Sequence, residues 1–221
     1  MFNTLEGFFI HRSPKSDKSQ LLSFYSKSHG LIKLSAFSNK KGTVFLPFAN
    51  YELEYAHPIK FSFGSIKTAH QLDAKSYHMD PIKNAIRFFI CDVVYQTASG
   101  NVSDNLTYGQ LSKTHNELIF TDNLSGFPLV FLAQWMMCLG ISPAPIQQAN
   151  RIDLEEGVFM YNPEIDIDSG AETWNRLLNG EESIPAELRK RTMDLMLKYM
   201  SWHLPNFNVE TTRNILHASL H

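Results

Sequence analysis

Five short segments with the composition of β-strands fall within the first 75 residues, and nothing between them can form a helix long enough to cover a sheet. They run from Thr4 to Arg12, Leu21 to Tyr25, Leu31 to Phe37, Phe48 to Tyr55 and Ile59 to Thr68. The alternation is plainest in Glu52-Leu53-Glu54-Tyr55, with every second residue apolar. Between the second and third segments, Ser28-His29-Gly30 predicts a tight turn, with Gly30 free to adopt positive φ. An open sheet of five such strands would leave its edges unpaired. Closure into a small barrel removes them, and five strands in about 70 residues is the OB-fold pattern. An SH3-like barrel has the same periodicity, and spacing alone does not separate the two.

After Tyr77 the apolar period becomes helical. Asp80 is a good N-cap with Pro81 in the first turn. Ile82, Ile86, Phe89, Val93 and Val94 form one face of this helix, and Lys83, Asn84, Arg87 and Gln96 the other. It is expected to end at Ser99-Gly100-Asn101. Further helices are expected from Ser103 to Phe120, from Leu124 to Leu139 (apolar nearly all round and so the most buried), and from a Ser169/Glu172 capping box to Leu178. Two more run from Ser183 and Pro185 to His203, and from Val209 to Leu220. The chain thus reads as α+β: a five-stranded OB-fold barrel over residues 1–75 and an all-helical domain over residues 76–221, with the boundary within 69–79.

Apolar residues make up 43% of the chain and charged residues 19%, enough to build sizeable cores and too apolar for wholesale disorder. The stretch from Phe127 to Ile141 is too short to cross a bilayer and is interrupted by Pro128, Gln134 and Gly140. The first ten residues contain Glu6 and lack a basic start, so no signal peptide is expected. With no membrane partner and only Cys91 and Cys138 as thiols, a reducing, cytoplasmic setting is the simplest expectation. Residues 1–75 hold ten Lys/Arg against five Asp/Glu, whereas the remainder holds ten against seventeen. A basic first third on an acidic remainder suggests that only the first part meets polyanions.

Catalytic signatures are lacking. There is no phosphate-binding G-x-x-x-x-G-K-[ST] loop, no nucleophile elbow and no H-E-x-x-H. The ordinary reading of His115 is a satisfied core residue. The run Glu164 to Gly170 resembles a calcium loop but misplaces the glycine and puts Leu177 where the bidentate acid belongs. Phe127, Phe131, Trp135 and Met136-Met137 are core at helical spacing, as are most aromatics of the Phe24, Tyr25 and Phe45 kind. No enzyme, cofactor or metal is expected. What remains is binding: Arg12, Lys15 and Lys18 on or beside the first inter-strand loop, Lys33 on the third strand, and Lys40 and Lys41 on the loop after it. Any one lysine is ordinary surface; the set can follow a phosphate backbone while aromatics stack bases.

The chain opens with Glu6-Gly7-Phe8-Phe9-Ile10-His11-Arg12 and the Ser16-Asp17-Lys18 loop. The hairpin Phe24-Tyr25-Ser26-Lys27-Ser28-His29-Gly30-Leu31-Ile32 follows, and then the basic loop Asn39-Lys40-Lys41-Gly42. Next come Leu46-Pro47-Phe48 and Tyr51-Glu52-Leu53-Glu54-Tyr55, and later Asp153-Leu154-Glu155-Glu156-Gly157-Val158-Phe159. In this order the motifs resemble the RecO family of bacterial DNA-repair proteins, in particular its zinc-less members. The resemblance implies an N-terminal OB-fold, a helical C-terminal domain, and binding of single- and double-stranded DNA with strand annealing. It also implies partnership with RecR and with the C-terminal tail of single-stranded DNA-binding protein, so that RecA loads on coated strands, and a nucleoid-associated location. Two departures stand out. Cys91 and Cys138 cannot supply the four-cysteine zinc site of many relatives, and the basic loop is short and poor in arginine.

A tail ending in a carboxylate after an aromatic residue calls for an apolar wall beside a cation. The candidates are Arg87, Arg151 and the Arg189-Lys190-Arg191 cluster. The alternative to a DNA-binding mediator is a protein-interaction adaptor with a structural barrel and little DNA affinity.

Overall fold

The computed structural model describes residues 2–17, 19–37, 44–56, 63–98, 105–164, 166–181 and 183–220. Lys18, Lys40 and Lys41, the basic loop around them, the start of the fifth expected strand and the Ser99-Gly100-Asn101 stop lie outside the described residues.

Strands β1 (Phe2–Ser16), β2 (Ser19–Ser26), β3 (Gly30–Phe37), β4 (Asn50–Ala56) and β5 (Gly64–Gln71) close into a barrel in the order β1-β2-β3-β5-β4. All pairings are antiparallel except β3 with β5, where Leu34 pairs with Gly64 and Ser35 with Ser65. This is the OB-fold arrangement, in which the single parallel closure requires a crossover by way of β4. Inward side chains alternate as expected: Leu5 and Phe9, Leu22 and Phe24, Ile32 and Leu34, then Tyr51, Leu53 and Tyr55. Phe24, Phe45 and Tyr51 meet edge-on or tilted, with ring centroids 5.0–6.2 Å apart. The centre is full: a Cβ on Gly64 would stand 2.7 Å from the Tyr55 ring and 2.9 Å from Leu34. Gly30 has φ +62° in the predicted turn.

Two details differ from the sequence reading. Residues 13–16, expected in a loop, continue β1, with Ser13 opposite Leu21 and Ser16 opposite Ser19, so Lys15 rides on a strand. Pro14 is tolerated there because β1 leaves β4 after Phe8 and keeps a neighbour on one side only. Phe48, expected to start the fourth strand, instead holds φ +57°, uncommon for a bulky residue, and is wholly buried. Its N–H donates to Phe9 O at 2.9 Å, and its ring lies against Phe8 and His115.

Helices α1 (Pro81–Thr97) and α2 (Asn105–Phe120) follow. Asp80 caps α1, its Oδ1 accepting from Lys83 N at 2.7 Å. By packing, the chain divides into one unit of Met1–Phe120 with Val209–His221 and a second of Thr121–Asn208. Helix α6 (Glu210–Leu220) therefore belongs with the barrel, against α1; Thr212 Oγ1 donates to Asp92 Oδ2 at 2.7 Å.

The second unit holds α3 (Phe127–Cys138), a hairpin of β6 (Arg151–Asp153) and β7 (Val158–Met160), α4 (Ser169–Leu178) and α5 (Ala186–His203). Leu129, Leu132, Trp135 and Met136 of α3 are fully buried, as its apolarity predicts, but Met137, expected in the core beside Met136, is 59% exposed because nothing described covers that side chain. Trp174 packs edge-on against Phe159 and Tyr199. The hairpin is an addition to the helical expectation, turning through Gly157 at φ +69°. The cap of α4 is Asp168 rather than Ser169: its Oδ1 accepts from Gly170 N at 3.0 Å, and a carboxylate suits the positive end of the helix. No described helix is long and apolar enough to cross a membrane.

Candidate nucleic-acid interface

The outer surface of the barrel has three regions. The first is covered. Phe8, Tyr25 and Leu31 stand opposite one another on β1, β2 and β3, face outward, and are all buried. Phe8 lies 5.6 Å from the Tyr108 ring and 5.2 Å from the His115 ring, both on α2. His115 Nε2 donates to Asp73 Oδ2 at 3.1 Å, so this histidine is a satisfied core residue, as expected. Burial alone would raise the Asp73 pKa, but hydrogen bonds from His115, Gln71 and Asn50 N outweigh it and hold the carboxyl below its ordinary range.

The second region is bare and acidic. Glu6 on β1 stands opposite Glu52 on β4, which stands opposite His70 on β5; Glu54 lies between Thr4 and Thr68. All three glutamates are exposed, with Lys67 at the adjoining bulge. At its border Tyr108 donates to Glu6 Oε1 at 3.3 Å, and burial together with that carboxylate pushes the Tyr108 hydroxyl up to about 12.

The third region is basic. His11, Ser23 and Lys33 share one outward row across β1, β2 and β3. Tyr95 of α1 stacks on His11 with centroids 4.0 Å apart, and Lys33 Nζ sits 5.7 Å from the Tyr95 ring. Burial lowers the His11 pKa, Asp92 partly restores it and Lys33 lowers it further. Arg12 belongs to the neighbouring, opposite-facing row and is exposed; Lys15, also exposed, holds its Nζ 5.8 Å from the Phe63 ring. Three of the six expected DNA-binding residues thus stand exposed along the same end of the β1-β2-β3 ladder, near the exposed Asp17, although Arg12 and Lys33 face opposite ways.

Beside Arg12 lies a groove of about 710 Å³, bounded by residues 10–12 of β1, residues 44–47, α1 and the start of α6. Ordinary alternation did not reveal it. The one signal in the sequence was Phe88, an aromatic on the otherwise polar side of α1, which is 52% exposed and lines this groove.

The candidates proposed for a peptide carboxylate stand in different settings. Arg87 is 1% exposed, its guanidinium 3.8 Å from the Tyr77 ring and Nη1 donating to His78 O and Asn84 Oδ1, each at 2.9 Å. Arg151 is exposed on β6. On α5, Arg189 donates to Ile184 O at 3.2 Å, Lys190 is exposed, and Arg191 donates to Asp168 Oδ1 at 3.1 Å beside the cap of α4. Among the described residues no group of three His, Cys, Asp or Glu could hold a metal ion. Cys91 is buried, which raises its thiol pKa, and its Sγ lies 3.5 Å from Phe9 O. Comparison with models of known protein families and with curated protein sequences finds no match to this chain.

Proposed function

We propose that this chain is a non-enzymatic DNA-binding protein of the recombination-mediator kind. It holds and anneals single strands through the basic end of its barrel and, with RecR, helps load RecA on strands coated by single-stranded DNA-binding protein. The observation that carries this reading is the segregation of charge on an OB-type barrel. Arg12, Lys15 and Lys33 stand exposed at one end, while Glu6, Glu52 and Glu54 occupy the open side and α2 lies over Phe8. A polyanion is repelled from the second region and sterically kept from the first, so the basic end is the place left for it on the described barrel. The order of motifs that resembles RecO supplies the mediator role and the bacterial, nucleoid-associated setting.

The test is fluorescence anisotropy with a labelled single strand across a salt series, with strand annealing on the same sample. The expected result is binding that weakens steeply with salt, because phosphate contacts release counterions, together with faster annealing. Absence of both would overturn the reading. A second reading, an adaptor whose helical part binds proteins, draws on Trp202, Tyr161 and Ile167 of the second unit, each more than half exposed. Partner capture without nucleic acid, coupled with no DNA affinity, would favour it.

A further inference from the structure

We infer that the groove beside Arg12 receives an unpaired base of a single strand, so that the basic end of the barrel holds phosphates while the groove holds a base. This rests on the nucleic-acid reading above and adds a site to it. The volume of about 710 Å³ lies within the range of clefts that enclose small organic groups and has room for a nucleoside. Its apolar lining comes from separate segments that converge: Val44 (71% exposed), Met79 (70%) and Phe88 (52%), with the buried Phe9 and Tyr77. An exposed aromatic beside a cation is the pairing that single-strand sites use, stacking on the ring while the phosphate meets the charge.

Two polar features select what enters. Asn84 lines the groove, and its Oδ1 faces the Arg87 guanidinium, which can only donate. The amide of Asn84 is left to offer N–H groups, which suit the carbonyl and ring-nitrogen acceptors of a base edge. Asp92 also lines the groove, its Oδ1 and Oδ2 accepting from Gln96 and Thr212 at 2.7 Å each, so a carboxylate stands on the α1 side. An anionic group is therefore disfavoured at the α1 side and kept toward Arg12, while a neutral aromatic group can pass inward. That asymmetry orients a nucleotide with its base inward and its phosphate at Arg12. A paired base, stacked in a duplex, cannot enter without being flipped out.

The experiment compares a labelled oligothymidylate with an abasic sugar-phosphate strand of equal length and charge. The expected result is tighter binding of the thymidine strand by on the order of tenfold. Phe88→Ala removes most of that difference. Phe88→Leu, which keeps apolar volume without the ring, loses most of it; circular dichroism checks that both variants are folded. Equal wild-type affinity for the two strands, unaffected by either substitution, would overturn the inference while leaving the nucleic-acid reading intact. Binding of neither strand would overturn both.

Discussion

Glu6 and Phe8 are two residues apart on β1 and face the same way, yet Glu6 stands in solvent while Phe8 is 1% exposed. The boundary between them divides the barrel. On one side the outward row is aromatic and α2 lies over it; on the other it is carboxylate and nothing described covers it. The lesson concerns access. A barrel of this size has few surfaces to offer, and here packing removes one and charge removes another. The basic end owes its candidacy as much to these exclusions as to its own three cations.

The largest way to break this contrast is Phe8→Ala. It removes a ring packed against Phe48, Tyr108 and His115 and should cost about 3–5 kcal/mol, read by chemical denaturation; a loss below about 1 kcal/mol would mean that the helices do not depend on this row. Asp73→Ala comes next. It leaves His115, Gln71 and Asn50 N without their acceptor and should cost roughly 1–3 kcal/mol near neutral pH. Because the folded-state pKa of Asp73 is depressed, the unfolded chain binds more protons as pH falls. Its contribution is therefore present above the ordinary carboxylate range and lost as pH drops through the folded pKa. Melting temperature against pH should have a shallower acid limb in the variant.

Neutralising Arg12, Lys15 and Lys33 together sharpens the contrast from the other side. Each phosphate contact on a single strand contributes about 0.7 to the salt slope, so the slope should flatten by about 2, with little change in stability. An unchanged slope would remove this end from the interface. The smallest effect is expected for Glu52→Gln with Glu54→Gln: stability within about 0.5 kcal/mol, and DNA affinity equal or slightly tighter. Weaker DNA binding in that variant would place the strand on the acidic side and contradict the charge argument.

Much of the architecture was legible. The alternation of Glu52 to Tyr55, the turn at Gly30 and the Asp80-Pro81 start follow from local periodicity, and the structure has each as read; the apolar helix expected from Leu124 to Leu139 forms over Phe127–Cys138, with Met137 exposed. Of the candidate site, the sequence pointed to Arg12, Lys15 and Lys33 as exposed cations. It placed Lys15 on a loop because Ser, Pro and Lys look like turn residues; the ladder with β2 runs through them. Arg87 reads as solvent-facing because its neighbours Lys83 and Asn84 are polar, yet Tyr77, ten residues earlier, supplies a ring for it to cover.

Local pattern by itself thus determined the five barrel strands, helices α1 to α6 and where charge accumulates, since these depend on residues within a few positions of one another, though not the β6–β7 hairpin or the full length of β1. Tertiary structure decided which barrel face is covered, where α6 returns, and that a groove lies beside Arg12. Those outcomes rest on contacts between residues about a hundred positions apart, such as Glu6 with Tyr108, Phe9 with Cys91 and Asp92 with Thr212. A period of two or of 3.6 says which side of an element is apolar, but not which distant surface arrives to bury it.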